Sequence, residues 1–220
     1  MSDEAAFLAR LFGALPADPA PYRRALTHGS AARESYERLE FLGDRVLGLA
    51  IARLLYERFP DEEEGKMSRR YNALVDRETC AEVGRALGLP PMIRLGRQAR
   101  EDNASLSDNV VGDVVEALLG ALYLDRGHDA AQDFVRTHWA PFVDGQKRAP
   151  VHPKSGLQEL AAARNLGVPA YELVGRSGPH HAPTFRVRVS LRSHGEAEAE
   201  GASKQEAETA AAAALLEKLS

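Results

Sequence analysis

Between Val110 and Leu124 the chain runs for 15 residues with only two charged members, Asp113 and Glu116. A helix that is apolar all round is buried, so this stretch predicts a helix at the centre of a core. Ionised carboxylates in such surroundings are costly unless they are paired or bound to a metal. Spaced three residues apart, the two acids share one helix face. The run therefore requires a shell of other helices around it and a positive partner for that face.

A second stretch answers it. Glu37-Arg38-Leu39-Glu40-Phe41-Leu42-Gly43-Asp44 opens a helical run predicted over 34–58. At about 100° per residue, Glu37, Glu40 and Asp44 fall within an arc of roughly 60°. The same face continues through Gly48, Ile51 and Leu55, so the acids head a stripe that becomes apolar. Gly48 and Gly120, each one turn beyond an acidic pair, predict a close approach of the two helices. The economical arrangement is one site, in which the helices face each other and their acids share a divalent cation. Two carboxylates about 4 Å apart repel by roughly 4 kcal/mol at an effective dielectric of about 20, so four together take up protons or recruit positive charge. Arg38 and Arg45 are expected to point away from the acidic arc. The ligands are all hard oxygens, which suits Mg²⁺ or Mn²⁺ rather than Zn²⁺. For Glu37 alone, pairing with a surface Lys or Arg is the competing reading.

Residues 37–47, ERLEFLGDRVL, resemble the signature of bacterial ribonuclease III, and residues 112–125, GDVVEALLGALYLD, resemble that family's second acidic motif. The resemblance implies a metal-dependent endoribonuclease that cuts double-stranded RNA, leaves 5′-phosphates and short 3′ overhangs, and acts on ribosomal and messenger RNA precursors. It implies Glu40, Asp44, Asp113 and Glu116 as ligands of Mg²⁺, with Mn²⁺ as a substitute. Asp44, Glu116, Glu37 and Glu64 are implied as catalytic, Glu64 because Glu64-Gly65 before Met67-Ser68 matches a family position near the active site. It also implies a homodimer built across the signature helix, with Phe41 as interface anchor, whereas Leu42 and Val46 are expected to face the subunit's own core.

The remaining pattern gives two domains. Residues 1–143 read as helical: a short helix over 3–14, breaking prolines at 16, 19 and 21, the first acidic helix, a helix over 67–87, a polar loop from Gly96 to Asn109, the second acidic helix, and a last helix over 128–143. Cys80 is expected to be a small core residue, and His28, in Thr27-His28-Gly29-Ser30, a structural hydrogen-bonder. Residues 144–153, polar with Gly145, Pro150 and Pro153, read as a linker. Beyond it the period changes. Thr184–Arg192 alternates with Phe185, Val187, Val189 and Leu191 on one face, a half-buried strand. Strands are predicted over 171–175 and 196–200, a helix over 154–165, and a final helix from Ser203, where Ser203 and Glu206 form a capping box. The expected architecture is thus an all-α N-terminal domain followed by a small α+β domain of order α-β-β-β-α.

That order, with Gly178-Pro179-His180-His181 ahead of Phe185, resembles the double-stranded RNA-binding domain. The resemblance implies Gln158, Glu159 and His181 at successive minor grooves, and Ser203 and Lys204 at major-groove phosphates. The basic cluster usual at that helix start is thinned, with Gln205 replacing a lysine, which predicts weaker binding and a shallower salt dependence.

Charge alone suggests no such partner. The net charge is −4, residues 1–150 carry 20 Lys+Arg against 24 Asp+Glu, and residues 151–220 carry 8 against 8. RNA contacts must then come from local clusters. A single cysteine excludes an internal disulfide and fits a reducing cytoplasm. The acidic start argues against a signal peptide, and no run is long enough to span a membrane. No His, Ser or Cys nucleophile is placed for catalysis, and no small-molecule substrate is expected. Two rival readings are a binding-only protein of this fold whose catalysis has lapsed, which loss of a core acid would have signalled, and a di-metal carboxylate oxidase, which needs Glu-x-x-His pairs that this chain lacks.

Overall fold

The computed structural model describes residues 3–146, 149–179 and 182–219 and divides between Pro150 and Val151 into two units. The first is helical: α1 (Asp3–Phe12), α2 (Ala20–Ala25), α3 (Glu37–Arg58), α4 (Glu64–Leu74), α5 (Arg77–Ala86), α6 (Arg97–Glu101) and α7 (Asp108–Gly145). The apolar run from Val110 to Leu124 lies in the first half of α7, and Val111, Val114, Val115, Ala117, Leu118, Leu119 and Ala121 are all buried there. It packs along α3, which contributes Leu47, Ala50, Ile51 and Leu55. Gly127, at φ 79° and ψ −171°, breaks α7 into the two helices the sequence predicts, a conformation that L side chains rarely adopt. Beyond the break, Trp139 is fully buried, and its indole N–H donates to the Leu74 carbonyl at 2.8 Å. Cys80 is a buried free thiol of the same core, and burial pushes its pKa up.

Three local expectations change. Pro16, Pro19 and Pro21 do not merely interrupt: Pro19 and Pro21 flank the start of α2, where the missing N–H costs nothing. The helix predicted over 67–87 is two helices, because Asp76 turns extended and its carboxylate accepts the Thr79 N–H at 2.8 Å, capping α5. The polar loop from Gly96 contains the short α6.

The buried arginine of this unit is paired. Arg70 is 2 % exposed. Its guanidinium donates to both carboxylate oxygens of Glu62, at 2.7 Å each, donates to the Gln146 carbonyl, and lies 3.9 Å from the Phe59 ring centroid. It ties the approach to α4 onto the end of α7.

The second unit is α8 (Pro153–Ala163), β1 (Ala170–Ser177), β2 (Thr184–Ser190), β3 (Glu196–Gly201) and α9 (Lys204–Leu219), with an antiparallel sheet of order β1-β2-β3. Val187 and Val189 are buried as the alternation requires. Leu157 and Ala161 of α8 and Ala211, Ala212 and Leu215 of α9 join Val189, Leu191 and Ala197 in one core, so both helices cover one sheet face. The opposite face carries charge: Arg188 pairs with Glu198 across the strands at 2.6 Å. Half of the capping box forms: the Glu206 N–H donates to Ser203 Oγ at 3.1 Å, while the Glu206 carboxylate accepts the N–H of Ala202, one residue before the cap, at 2.9 Å.

Candidate metal centre and RNA-binding surface

The acids on α3 and α7 line the seam between those helices, and two glycines let the helices meet there. A Cβ on Gly43 would overlap the carbonyl oxygen of Glu116, and one on Gly120 would overlap the carbonyl of Leu39. The close-approach pair is therefore Gly43 and Gly120, where the sequence reading chose Gly48 and Gly120. Gly48 instead makes room for Tyr71 of α4, whose hydroxyl would lie 2.6 Å from an added Cβ.

Glu40, Asp113 and Glu116 are half-buried. Burial raises the pKa of Glu40, and Asp113, Glu37 and Asp44 raise it further by repulsion. Glu116 is pushed up to about 8, first by burial, then by Asp44, Glu40 and Asp113, with Arg45 opposing. Burial also raises Asp113, against the hydrogen bond from Tyr36 and the charges of Arg77 and His28. Burial thus holds all three carboxylates toward their protonated forms, and neighbouring negative charge adds to this at Glu40 and Glu116, a state that a cation relieves.

Arg45 departs from its wheel position. Its Cβ does point off the acidic arc, but the guanidinium folds back to Asp44 Oδ2 at 2.5 Å, donates to the Phe41 carbonyl at 3.3 Å, and lies 4.2 Å from the Phe41 ring centroid. Glu37 sits at the rim, exposed, with Oε1 close to Gly29. Glu64, at the start of α4, is exposed and accepts from Ser68 Oγ at 2.7 Å. His28 is a structural hydrogen-bonder as expected: its Nδ1 accepts the Ser30 N–H at 3.0 Å, and Ser30 Oγ in turn accepts the Gly96 N–H at 3.0 Å. Sequence reasoning missed Tyr36, whose hydroxyl donates to Asp113 Oδ2 at 3.1 Å, and Arg77, and it expected Arg45 to point away. Only adjacency to Glu37 could have drawn attention to Tyr36.

Among the described residues, no three acids stand at metal-ligand spacing; one oxygen of Asp44 accepts from Arg45, and one oxygen of Asp113 accepts from Tyr36. In chemistry the donor set fits a hard divalent cation, being all oxygen.

In the second unit, Gln158 and Lys204 line one groove with His152, Lys154, Ser155, Gln205 and Glu208. Lys154 Nζ lies 2.6 Å from Glu208 Oε2, and Lys204 Nζ lies 3.8 Å from Glu208 Oε1. Glu159 is exposed on α8. Ser203 is engaged as the cap of α9. His181 lies outside the described residues.

Residues 18–141 match the family model described as ribonuclease-III-like, and residues 153–219 match the double-stranded RNA binding motif. "Ribonuclease 3" of Zymomonas mobilis is 57% identical over 205 residues, 93% of this chain and 83% of that protein. "Ribonuclease 3" of Rhodopseudomonas palustris is 48% identical, covering 91% and 75%. Among solved structures, the nuclease domain of ribonuclease III from Campylobacter jejuni aligns with 64% of this chain and 97% of its own, at TM-score 0.60 and 28% identity. A nuclease signature over α3 and α7, an RNA-binding motif over the second unit and relatives matched along most of their length agree: the chain belongs to the ribonuclease III family.

Proposed function

We propose that this protein is a metal-dependent endoribonuclease that hydrolyses phosphodiesters of double-stranded RNA. The observation that carries the reading is the α3–α7 seam, where burial raises Glu40, Asp113 and Glu116 and neighbouring acids push Glu116 further, to about 8. Glu40, Asp44, Asp113 and Glu116 are the ligands, and Mg²⁺ is the ion, with Mn²⁺ able to replace it. Bound there, a divalent cation supplies a water of lowered pKa and Lewis acidity for an in-line attack that leaves a 5′-phosphate and a 3′-hydroxyl. The chain's own part is to hold the carboxylates in place through buried helix walls, with Glu37 and Glu64 at the rim serving the substrate side.

The protein acts as a homodimer. Phe41, Leu49 and Tyr56 are 65%, 59% and 72% exposed, and together with Ala52 they fall on one face of α3 within an arc of roughly 80°, directly beside the acidic arc. An apolar stripe of this kind marks an interface, and an isologous one would set two acidic seams on a common face. Leu39, Phe41, Leu42 and Leu124 line a recess next to it that suits an aromatic anchor. A solved nuclease domain of the Campylobacter jejuni enzyme is described by its flexibility in a region involved in dimer formation.

The second unit supplies duplex binding, through Gln158, Glu159, His181, Ser203 and Lys204, and residues 144–153 link it to the nuclease. No described helix is long and apolar enough to cross a membrane, and the cytoplasm, with ribosomal and messenger RNA precursors as substrates, is the setting we assign. The experiment is cleavage of a long perfect RNA duplex with and without Mg²⁺, against the matched single strand and a DNA duplex. Metal-dependent cutting of duplex RNA alone is expected; binding without cutting would return the lapsed-enzyme reading.

A further inference from the structure

The Thr27–Ser30 turn and the residue ahead of Glu37 have no part in the ligand set, yet they converge on it. Tyr36 is 5% exposed and immediately precedes the first turn of α3. Its backbone N–H donates to the Thr27 carbonyl at 2.9 Å. Its ring meets His28 edge-on, with centroids 5.7 Å apart, and His28 is itself fixed by Ser30, which holds Gly96. The Tyr36 backbone and ring are thus anchored before the side chain reaches the seam. At its end, the hydroxyl donates to Asp113 Oδ2 at 3.1 Å.

We infer that Tyr36 is a positioning residue for the metal centre: its hydroxyl holds one oxygen of Asp113, so that the other is presented to the cation. This rests on the metal-dependent reading given above. Two observations support it beyond the single hydrogen bond. Asp113 sits on the central helix among fully buried neighbours, Val111, Val114 and Val115, so its backbone has no freedom to correct a misplaced carboxylate. No other side-chain donor reaches Asp113 among the described residues' hydrogen bonds, whereas Asp44 has Arg45. A donor behind a ligating carboxylate fixes its orientation and basicity, and loss of such a partner lowers metal affinity by about 10–100-fold.

The test is Mn²⁺ titration of the full chain, by calorimetry without RNA, comparing wild type with Tyr36→Phe, which keeps the ring and removes only the donor. The expected result is a Mn²⁺ dissociation constant raised about 10–100-fold, with metal-free melting unchanged. In cleavage assays the loss should appear in the Mg²⁺ concentration needed for half-maximal rate and be recovered at saturating Mg²⁺. An unchanged Mn²⁺ affinity in Tyr36→Phe, with wild type binding normally, overturns the inference and leaves the metal reading intact. Wild type that binds no Mn²⁺ overturns the metal reading, and this inference with it. Should Tyr36→Phe not fold, the wild-type hydroxyl proton serves instead: buried against a carboxylate, it should be visible by proton magnetic resonance and move on addition of Mg²⁺, and a resonance that ignores Mg²⁺ overturns the inference equally.

Discussion

The two units treat their carboxylates in opposite ways. In the α3–α7 seam, burial raises the pKa values of Glu40, Asp113 and Glu116, and like charge adds to the rise at Glu40 and Glu116. In the groove between α8 and α9, Glu208 is the lone acid between two lysines, Lys154 at 2.6 Å and Lys204 at 3.8 Å. One site has a charge deficit that a ligand of the right sign completes. The other is partly neutralised from within, one acid against two lysines, so an anionic ligand competes with an internal partner for each lysine. An uncompensated cluster points to what binds there; a compensated one sets how weakly it binds.

The sharpest way to break this comparison is to relieve the deficit without a metal. Glu116→Gln removes one of the repelling charges and one ligand together. Duplex cleavage at saturating Mg²⁺ should fall by well over about 100-fold, beyond the range for loss of an outer-shell partner, while RNA affinity measured without metal stays near wild type. Retained activity would place Glu116 outside the centre and make its raised pKa a consequence of burial alone.

Next in size is the contact that creates the seam. Gly43→Ala drives a methyl group into the Glu116 backbone, and neither helix can yield without shifting its acids. Overpacking of this kind costs about 1–3 kcal/mol, a fall of several degrees in the melting temperature of the first unit. Gly65→Ala, where an added Cβ meets nothing within 4 Å, is the control and should leave melting unchanged. Equal melting of the two variants would mean the helices are not in contact at Gly43.

The deficit also fixes a pH dependence. Glu116 has an ordinary pKa of 4.5 unfolded and about 8 folded without metal. Between those values the folded state holds more protons than the unfolded one, so stability falls as pH rises. The metal-free melting temperature should therefore decline from about pH 4.5 to about pH 8, and saturating Mg²⁺ should flatten that decline, because the bound ion takes the proton's place. A metal-free protein whose melting is level across this window would show that the carboxylates find compensation elsewhere.

How much of this was legible beforehand follows from what periodicity encodes. The directions of Cβ atoms round α3 and α7 are set by helix geometry, so the acidic faces, the buried stripe and the expected ligands could be read directly. What a side chain does beyond Cβ could not. Arg45 leaves the wheel on the far side, but its long stem folds back over one residue to Asp44. Tyr36 reaches across to a residue 77 positions away, and no local pattern encodes that. Gly43 was passed over for Gly48 because both recur near the acidic face, and only the opposing backbone decides which is at the crossing. The break between α4 and α5 was hidden because apolar residues keep a helical period on both sides of Asp76, which reads as a cap only once Thr79 is seen to donate to it. In the second unit the alternation of Thr184–Arg192 and the Ser203–Glu206 pair were sufficient because both are local signals.

The smallest expected effect tests the compensated side of the comparison. Lys204→Ala removes a cation already shared with Glu208, so duplex RNA should bind only a few-fold more weakly, uniformly across sequences, with the salt slope reduced by less than about 1. Glu208→Gln works in the other direction: it frees Lys154 and Lys204 together, and should tighten binding by a few-fold and steepen the dependence of affinity on salt. The pair is more informative than either alone. Dissociation constants across a salt series separate the outcomes, because neutralising an arbitrary surface acid shifts affinity modestly, whereas releasing two lysines onto phosphates adds released counterions and changes the slope. A Glu208→Gln variant with the wild-type slope would mean that the lysines reach phosphate regardless of Glu208, and internal pairing in this groove would then place no limit on RNA affinity.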